Sequence, residues 1–295
     1  MTFAAAAALS AMVVSRPLLA QQVPGRDLYQ FQLGTLAEPA ALATAAGGGF
    51  WNPATLALGD TTRLLLSATA LNSPIEQAVS AQLGTVAYRV GRGLSAGVQF
   101  SQSSVADLLR TDTDPQSIGG EIPYRSTIVS AAAALRRGSA TVGVALRRRT
   151  GNVDDVTGHA TSLDVGGTIE RPFDLPVRLA GSTFLMSLNG KDDRVSVLGA
   201  AEGLIPIRGV DVRAGIAAQK DRDSGSETFF YASGRRSYFE LHGGLARQST
   251  FGATTTRMRL GLGLRYARYL VGVAREEGTA GLGSTYQFML TTVFR

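Results

Sequence analysis

From Leu94 onward the chain repeatedly alternates apolar and polar residues with a period of two, and few architectures tolerate that pattern over such lengths. In the stretch 256–266, Met258, Leu260, Leu262, Leu264 and Tyr266 form one face, while Arg257, Arg259, Gly261, Gly263 and Arg265 form the other. Leu94, Ala96, Val98 and Phe100 oppose Ser95, Gly97, Gln99 and Ser101 in the same way. So do Val210, Val212, Ala214 and Ile216 against Asp211, Arg213, Gly215 and Ala217, and Phe239, Leu241 and Leu245 against Glu240, His242 and Gly244. Side chains alternate across a strand, so these segments are strands with one apolar and one polar face.

A soluble antiparallel sheet also alternates. Here the segments reach the ~9–11 residues that cross a bilayer at a tilt, against ~5–6 for an average strand. The polar faces carry glycine together with charge, as the lining of a barrel lumen would. Links alternate between short (Arg137-Gly138-Ser139, Ile207-Arg208-Gly209, Ala267-Arg268) and longer (Ser103 to Tyr124, Thr150 to Val156, Asn189 to Asp193, Asp221 to Glu227, Glu276 to Leu282). Bacterial barrels have short periplasmic turns, longer outer loops and an even number of strands. Starting an upward strand at Thr62, thirteen evident strands leave the two ends out of phase. Reading 228–232 as a further strand, followed by a periplasmic turn at Gly234-Arg235-Arg236, restores the phase. The expected fold is an all-β, closed antiparallel transmembrane barrel of fourteen strands over 62–295.

Composition agrees. Charged residues are 18% of the 295 and glycines number 35, which disfavours both a helical bundle and a disordered chain. There is no cysteine and there are two histidines, His159 and His242, so thiol chemistry and a multi-histidine metal site are excluded and no cofactor is expected. The net charge of +6 is scattered without a basic helix or aromatic-interleaved groove, so nucleic acid is not an expected partner. Asp154-Asp155 and Asp192-Asp193 with His159 could activate water, but no nucleophile or metal motif accompanies them; they read as solvated loop residues and the chain as a non-enzyme. Asp211, Arg213, Glu240, His242, Arg257, Arg259 and Arg265 are expected to line the lumen as a charge network, tolerated where charges pair or face water. On this reading Leu262→Arg should block assembly and Arg259→Ala should be milder.

Residues 1–20 are mostly small or apolar, interrupted by Arg16-Pro17, and after Ala20 switch to Gln21-Gln22-Val23-Pro24-Gly25. This reads as a secretory signal cleaved after Ala20, the alternative being a buried N-terminal helix. At the other terminus Tyr286, Phe288, Leu290 and Phe294 alternate along the last strand. A terminal aromatic on an amphipathic strand resembles the signal read by the barrel assembly machinery. The expected location is the bacterial outer membrane, in contact with its lipid.

Residues 21–61 do not alternate. Asn52 before Pro53 is a helix start: the Asn side chain caps, and Pro fits the first position because no amide hydrogen is needed there. The segment is either a linker with a short helix or a plug folded into the barrel mouth. Gly48-Gly49-Phe50-Trp51-Asn52-Pro53-Ala54, followed by Leu56-Ala57, resembles the N-terminal signature of FadL-type outer-membrane transporters and the related PorV/PorQ family. The run Leu260 to Tyr266 and the run Leu282 to Phe288 are similar to that family's closing strands. The resemblance implies a hatch, with Trp51, Asn52, Pro53 and Ala54 as its gate residues inside the lumen. It implies passive uptake of small hydrophobic molecules or, alternatively, a PorV/PorQ-like accessory that binds secretion-system proteins. The family's large ligand-collecting loops are missing here.

Overall fold

The structure is a computed structural model that describes residues 23–30, 32–44, 49–58, 63–74, 78–91, 93–106, 108–111, 118–188, 196–221, 225–250, 253–278 and 283–294. The expected signal segment, the Asp192-Asp193 pair and Thr62 lie outside the described residues. Fourteen strands close into an antiparallel barrel. In chain order they are β1 (Leu64–Asn72), β2 (Val79–Gly91), β3 (Leu94–Val105), β6 (Tyr124–Arg137), β7 (Ala140–Val153), β8 (Val156–Glu170) and β9 (Val177–Phe184), continued by β10 (Ser196–Ile207), β11 (Val210–Asp221), β12 (Gly225–Arg236), β13 (Phe239–Thr250), β14 (Ala253–Tyr266), β15 (Tyr269–Glu276) and β16 (Thr285–Phe294). The link between β3 and β6 carries a small separate hairpin, β4 (Leu109–Thr111) with β5 (Ile118–Glu121). The barrel closes where β1 meets β16, Leu64 opposite Phe294 and Asn72 opposite Tyr286. Closure leaves no free sheet edge.

Both β1 and the chain's last strand have their outer termini at one end of the barrel, here the terminal end; the opposite rim is the loop end. At the terminal end Gly138-Ser139, Arg208-Gly209 and Ala267-Arg268 are two-residue turns. Most large apolar residues of the strands face outward: Val142, Val144 and Leu146 on β7 and Leu260, Leu262 and Leu264 on β14 are all exposed. The polar residues between them face inward and are buried, among them Thr141, Arg147 and Arg259. No helix of the described residues is long and apolar enough to cross a membrane; strands make the wall.

Two links differ from the sequence reading. β12 continues through Gly234, Arg235 and Arg236, and the turn is Ser237-Tyr238. The Gly-Arg-Arg composition suggested a turn, but Arg235 pairs in register with Asp211 on β11 and Glu240 on β13, so the ladder holds the strand to its end. The strand count is unaffected. The stretch Thr150 to Val156 is not a long loop: β7 and β8 stay paired until Asp154-Asp155, where Asp154 takes a positive φ of 52°.

Candidate functional site

The described residues of 23–58 lie inside the barrel. Their seat is cut into the inward face of the wall by missing side chains. A Cβ on Gly143 (β7) would lie 2.5 Å from the Ala54 amide nitrogen and from the Pro53 carbonyl carbon. One on Gly166 (β8) would lie 2.0 Å from Asn52 Oδ1, and one on Gly261 (β14) 2.2 Å from the Leu36 carbonyl oxygen. Glycine lets the segment lie against the wall backbone to backbone at Gly143 and Gly261, and makes room for the Asn52 side chain at Gly166. β7 and β14 are far apart around the barrel, so the segment spans the lumen.

Local sequence shapes the segment. Asn52 is extended (φ −133°, ψ 106°), its Oδ1 accepts from the Ala54 amide at 3.0 Å, and a 3₁₀ helix follows over Pro53–Ala57. Its Nδ2 donates to the Ala41 carbonyl at 2.8 Å. Both polar ends of a fully buried side chain are therefore satisfied, as burial requires. Thr55 closes the turn, donating to the Asn52 carbonyl and accepting from the Gly49 amide.

In the loop half an apolar cluster forms around Trp51 and Phe50, both fully buried. The Trp51 ring lies 4.6 Å from Phe184 of β9, and Phe50 meets both edge-on at 5.3 and 5.6 Å. Leu71, Leu83, Ile128 and Leu198 of the wall and Tyr29 and Leu33 of the segment complete it. The indole Nε1 donates to the Leu33 carbonyl at 2.8 Å, and Ser182 Oγ donates to the Trp51 carbonyl at 3.0 Å. Tyr29 donates to the Ser126 carbonyl, and burial pushes its phenol up to about 12.

Arg147 on β7 is the link between this cluster and the wall. It ion-pairs with Asp164 of β8, both side chains being fully buried, and also donates to the Phe50 carbonyl. Its guanidinium lies 5.1 Å from the Phe50 ring centre and 5.0 Å from that of Phe184, within cation–π range. Asp164 Oδ1 accepts from the Met186 amide at 3.0 Å, just past the point where Leu185 adopts φ 57° and leaves β9. At the loop end Arg149 donates to the carbonyls of Pro24 and Val23.

Charge inside the barrel is paired. Arg259 and Arg257 of β14 bind Glu227 of β12 and Glu276 of β15 at 2.7–3.1 Å, and Arg259 lies 5.1 Å from the Phe229 ring centre. Gln32 of the segment reaches the same group, donating to Glu227 at 3.4 Å. Towards the terminal end, Glu202 accepts from Arg178, Arg213 and Tyr231. Asp211 pairs with Arg213 and Arg235, and Glu240 with Arg265. These groups line a cavity of about 410 Å³ below the segment. Glu38 of the segment and His242 of β13 face each other there at 3.7 Å. Burial raises the Glu38 carboxyl above the ordinary carboxylate range, opposed by His242 and Arg178.

The structure thus gathers Trp51, Asn52, Pro53 and Ala54 at the seat. It gathers Arg257 and Arg259 in one inward network, and Asp211, Arg213, Glu240, His242 and Arg265 around the cavity. Tyr286, Phe288 and Leu290 point outward, away from both. Sequence reasoning missed Arg147, Asp164, Phe184, Glu227, Glu276, Glu202 and Glu38. The usable signal was parity: within Arg147-Arg148-Arg149, the first and third share the inward face, and so does Asp164 on the next strand.

No sequence family model matches the chain, and no curated protein matches it in sequence. Solved structures do match in fold. The toluene transporter TbuX of Ralstonia pickettii superposes with a TM-score of 0.59 at 13% identity, over 94% of this chain and 99% of that one. A Pseudomonas aeruginosa FadL homologue superposes with a TM-score of 0.55 at 10% identity, over 89% and 96%. The fold is therefore that of outer-membrane barrels of the FadL type; these likenesses give no support to the PorV/PorQ side of the resemblance.

Proposed function

We propose that the chain is an outer-membrane channel for small apolar molecules, closed in this structure by its own segment 23–58 acting as a hatch. The terminal end faces the periplasm and the loop end the exterior, as short turns at one rim and longer links at the other suggest. The observation that carries the reading is the Trp51 cluster: apolar residues of the wall, Leu71, Leu83, Ile128, Phe184 and Leu198, gathered inside the lumen and covered by the segment, larger than the two other apolar clusters there, around Leu36 and around Leu42. A passage for ions or sugars has no use for such a patch, whereas an apolar solute gains by burying surface there. That a fold neighbour is a toluene transporter supports the same solute class. The segment shields this patch, so passage requires it to shift, and Asn52 with Pro53 sets where it sits.

The test is uptake of radiolabelled toluene, with a sugar of similar size as control, by outer-membrane vesicles with and without the protein. Toluene entry should rise with the protein while sugar entry does not, and Trp51→Ala should raise it further. Toluene entry equal to that of vesicles lacking the protein, for both the native chain and Trp51→Ala, would sink the proposal.

A further inference from the structure

Charge on the outward face is sorted as strictly as charge inside. No described outward residue of a barrel strand is Asp or Glu. Cations are present: Arg125 on β6, Arg148 on β7, Lys220 on β11, Arg247 on β13 and Arg275 on β15. All five are exposed and lie within six residues of the loop-end terminus of their strands. Among the described residues, Arg125, Arg148, Lys220 and Arg247 have no hydrogen bond or ion pair, and Arg275 donates only to Ser284 Oγ. Of the interior arginines, Arg147, Arg178, Arg213, Arg257, Arg259 and Arg265 are matched to carboxylates, and Arg149 to backbone carbonyls of the segment. Glu277, exposed just past the end of β15, stands two residues from Arg275 and accepts from the Met258 amide at 3.2 Å; Arg125, Arg148, Lys220 and Arg247 have no carboxylate partner among the described residues.

Its level is set by Tyr286, which stands directly across from Arg275 and is outward and exposed, as an interfacial aromatic is. Past the belt the strands continue, but their outward residues are no longer apolar. They are Thr150 and Asn152 on β7, Thr157 and His159 on β8, and Thr254 on β14, with Thr161 and Thr256 level with the belt, opposite Arg148 and Arg247. The terminal end behaves differently. Leu135, Val142, Ile207, Phe239, Tyr266 and Tyr269 keep the outward face apolar up to the turns, and its outward strand cations, Arg137 and Arg236, are the last residues of β6 and β12. One rim thus keeps an apolar outward face up to its turns, while the other carries a belt of cations below a polar band.

We propose that the basic belt is a binding surface for the phosphorylated glycolipid of the outer leaflet. The Arg and Lys heads take its phosphates, and the hydroxyl and amide band above takes its sugars. Arginine forks match phosphate oxygens in pairs, long basic stems reach from an apolar surface to a polar layer, and basic clusters at a bilayer surface draw anionic headgroups. A glycerophospholipid would meet the cations and leave the band above them without a partner. The proposal rests on the orientation given under the proposed function.

Native mass spectrometry of the whole purified protein tests it with four probes: diphosphoryl lipid A, the same lipid stripped of phosphate, phosphatidylglycerol, and inorganic phosphate. Lipid A should bind at least tenfold more tightly than its stripped form and than phosphatidylglycerol, and millimolar phosphate should not displace it. A variant carrying Arg125→Gln, Arg148→Gln, Lys220→Gln, Arg247→Gln and Arg275→Gln should lose that preference at least tenfold. Equal binding of stripped lipid or of phosphatidylglycerol overturns the proposal, as does displacement by inorganic phosphate or an unchanged variant. Should the variant fail to give a heat-modifiable folded band, the comparison of lipids on the native chain decides alone. Toluene entry measured on the same preparations reports separately on the channel reading.

Discussion

Replacing Gly143 by Ala separates the hatch from the wall that holds it. The added methyl would stand 2.5 Å from the Ala54 nitrogen and the Pro53 carbonyl carbon, and 2.7 Å from the Pro53 oxygen. Ordinary contact needs roughly 3.5 Å, so the segment must give by about an ångström. All three atoms are backbone, anchored by Asn52 to Ala41 and Ala54, so no side chain can swing aside. Overpacking of this kind costs about 1–3 kcal/mol, equivalent to a 5–150-fold rise in the displaced population. The wall itself should not suffer, since Gly is a poor strand residue. Gly199→Ala is the matched control, because a Cβ there meets nothing within 4 Å. Trp51 is the only tryptophan and is fully buried, so its emission reports seating directly. Gly143→Ala should shift that emission to the red, increase acrylamide quenching and raise toluene entry, with Gly199→Ala like the native chain. A folded Gly143→Ala barrel with native Trp51 quenching and native toluene entry would refute the seat, and red-shifted emission without faster entry would refute the gate.

Asn52→Ala removes the cap on Ala54 and the donor to Ala41, which should loosen the segment by about 0.5–2 kcal/mol; Trp51 emission should move to the red while heat-modifiable gel mobility is unchanged. Leu262, outward and 54% exposed, should not tolerate Arg: about 2–4 kcal/mol near the midplane predicts loss of folded protein from the membrane fraction. Arg259→Ala should also be severe, contrary to the milder effect expected from sequence. It leaves Glu227 and Glu276 to share the single guanidinium of Arg257, one buried negative charge uncompensated, a loss on the order of 3–5 kcal/mol that a lowered urea midpoint would show. Because burial raises the Glu38 carboxyl above its ordinary 4.5, the seated segment holds that proton more tightly than the released one. Seating is then strongest below pH 4.5 and weakens as pH rises through the raised value, so Trp51 quenching should increase towards neutrality and Glu38→Gln should flatten that rise.

Alternation made the wall legible because each strand turns one face to lipid and the other inward, and parity of the links then required a fourteenth strand that composition alone disguised. The Asn52 cap was legible because its partners lie two residues away in the chain. What stayed hidden depended on register. Arg147 and Asp164 are 17 residues apart and meet only because β7 and β8 pair with Ala145 opposite Asp164. Phe184 and Leu185 are consecutive and both buried, which no strict alternation predicts; the positive φ of Leu185 turns the chain there. The glycines of the polar faces read correctly as interior, yet nothing in their spacing says that Gly143, Gly166 and Gly261 are where the segment comes to rest.

The way the segment is held bears on whether it can leave. Its contacts to charged wall residues are made by neutral groups: the Phe50 carbonyl to Arg147, the Pro24 and Val23 carbonyls to Arg149, and Gln32 to Glu227. If the segment withdraws, Arg147 keeps Asp164, Arg259 keeps Glu227 and Glu276, and Glu202 keeps Arg178 and Arg213. None of these ion pairs has to break, so the several kcal/mol that orphaning Arg147, Arg259 or Glu202 would cost is not incurred. Glu38 is the exception, a charged group of the segment opposite His242, and its departure releases a carboxyl that burial disfavours. What opposes opening is then mainly the exposure of the Trp51 cluster. On the proposed channel reading, an apolar solute taking the place of Trp51 against Phe184 would offset that exposure and so couple its arrival to release of the segment.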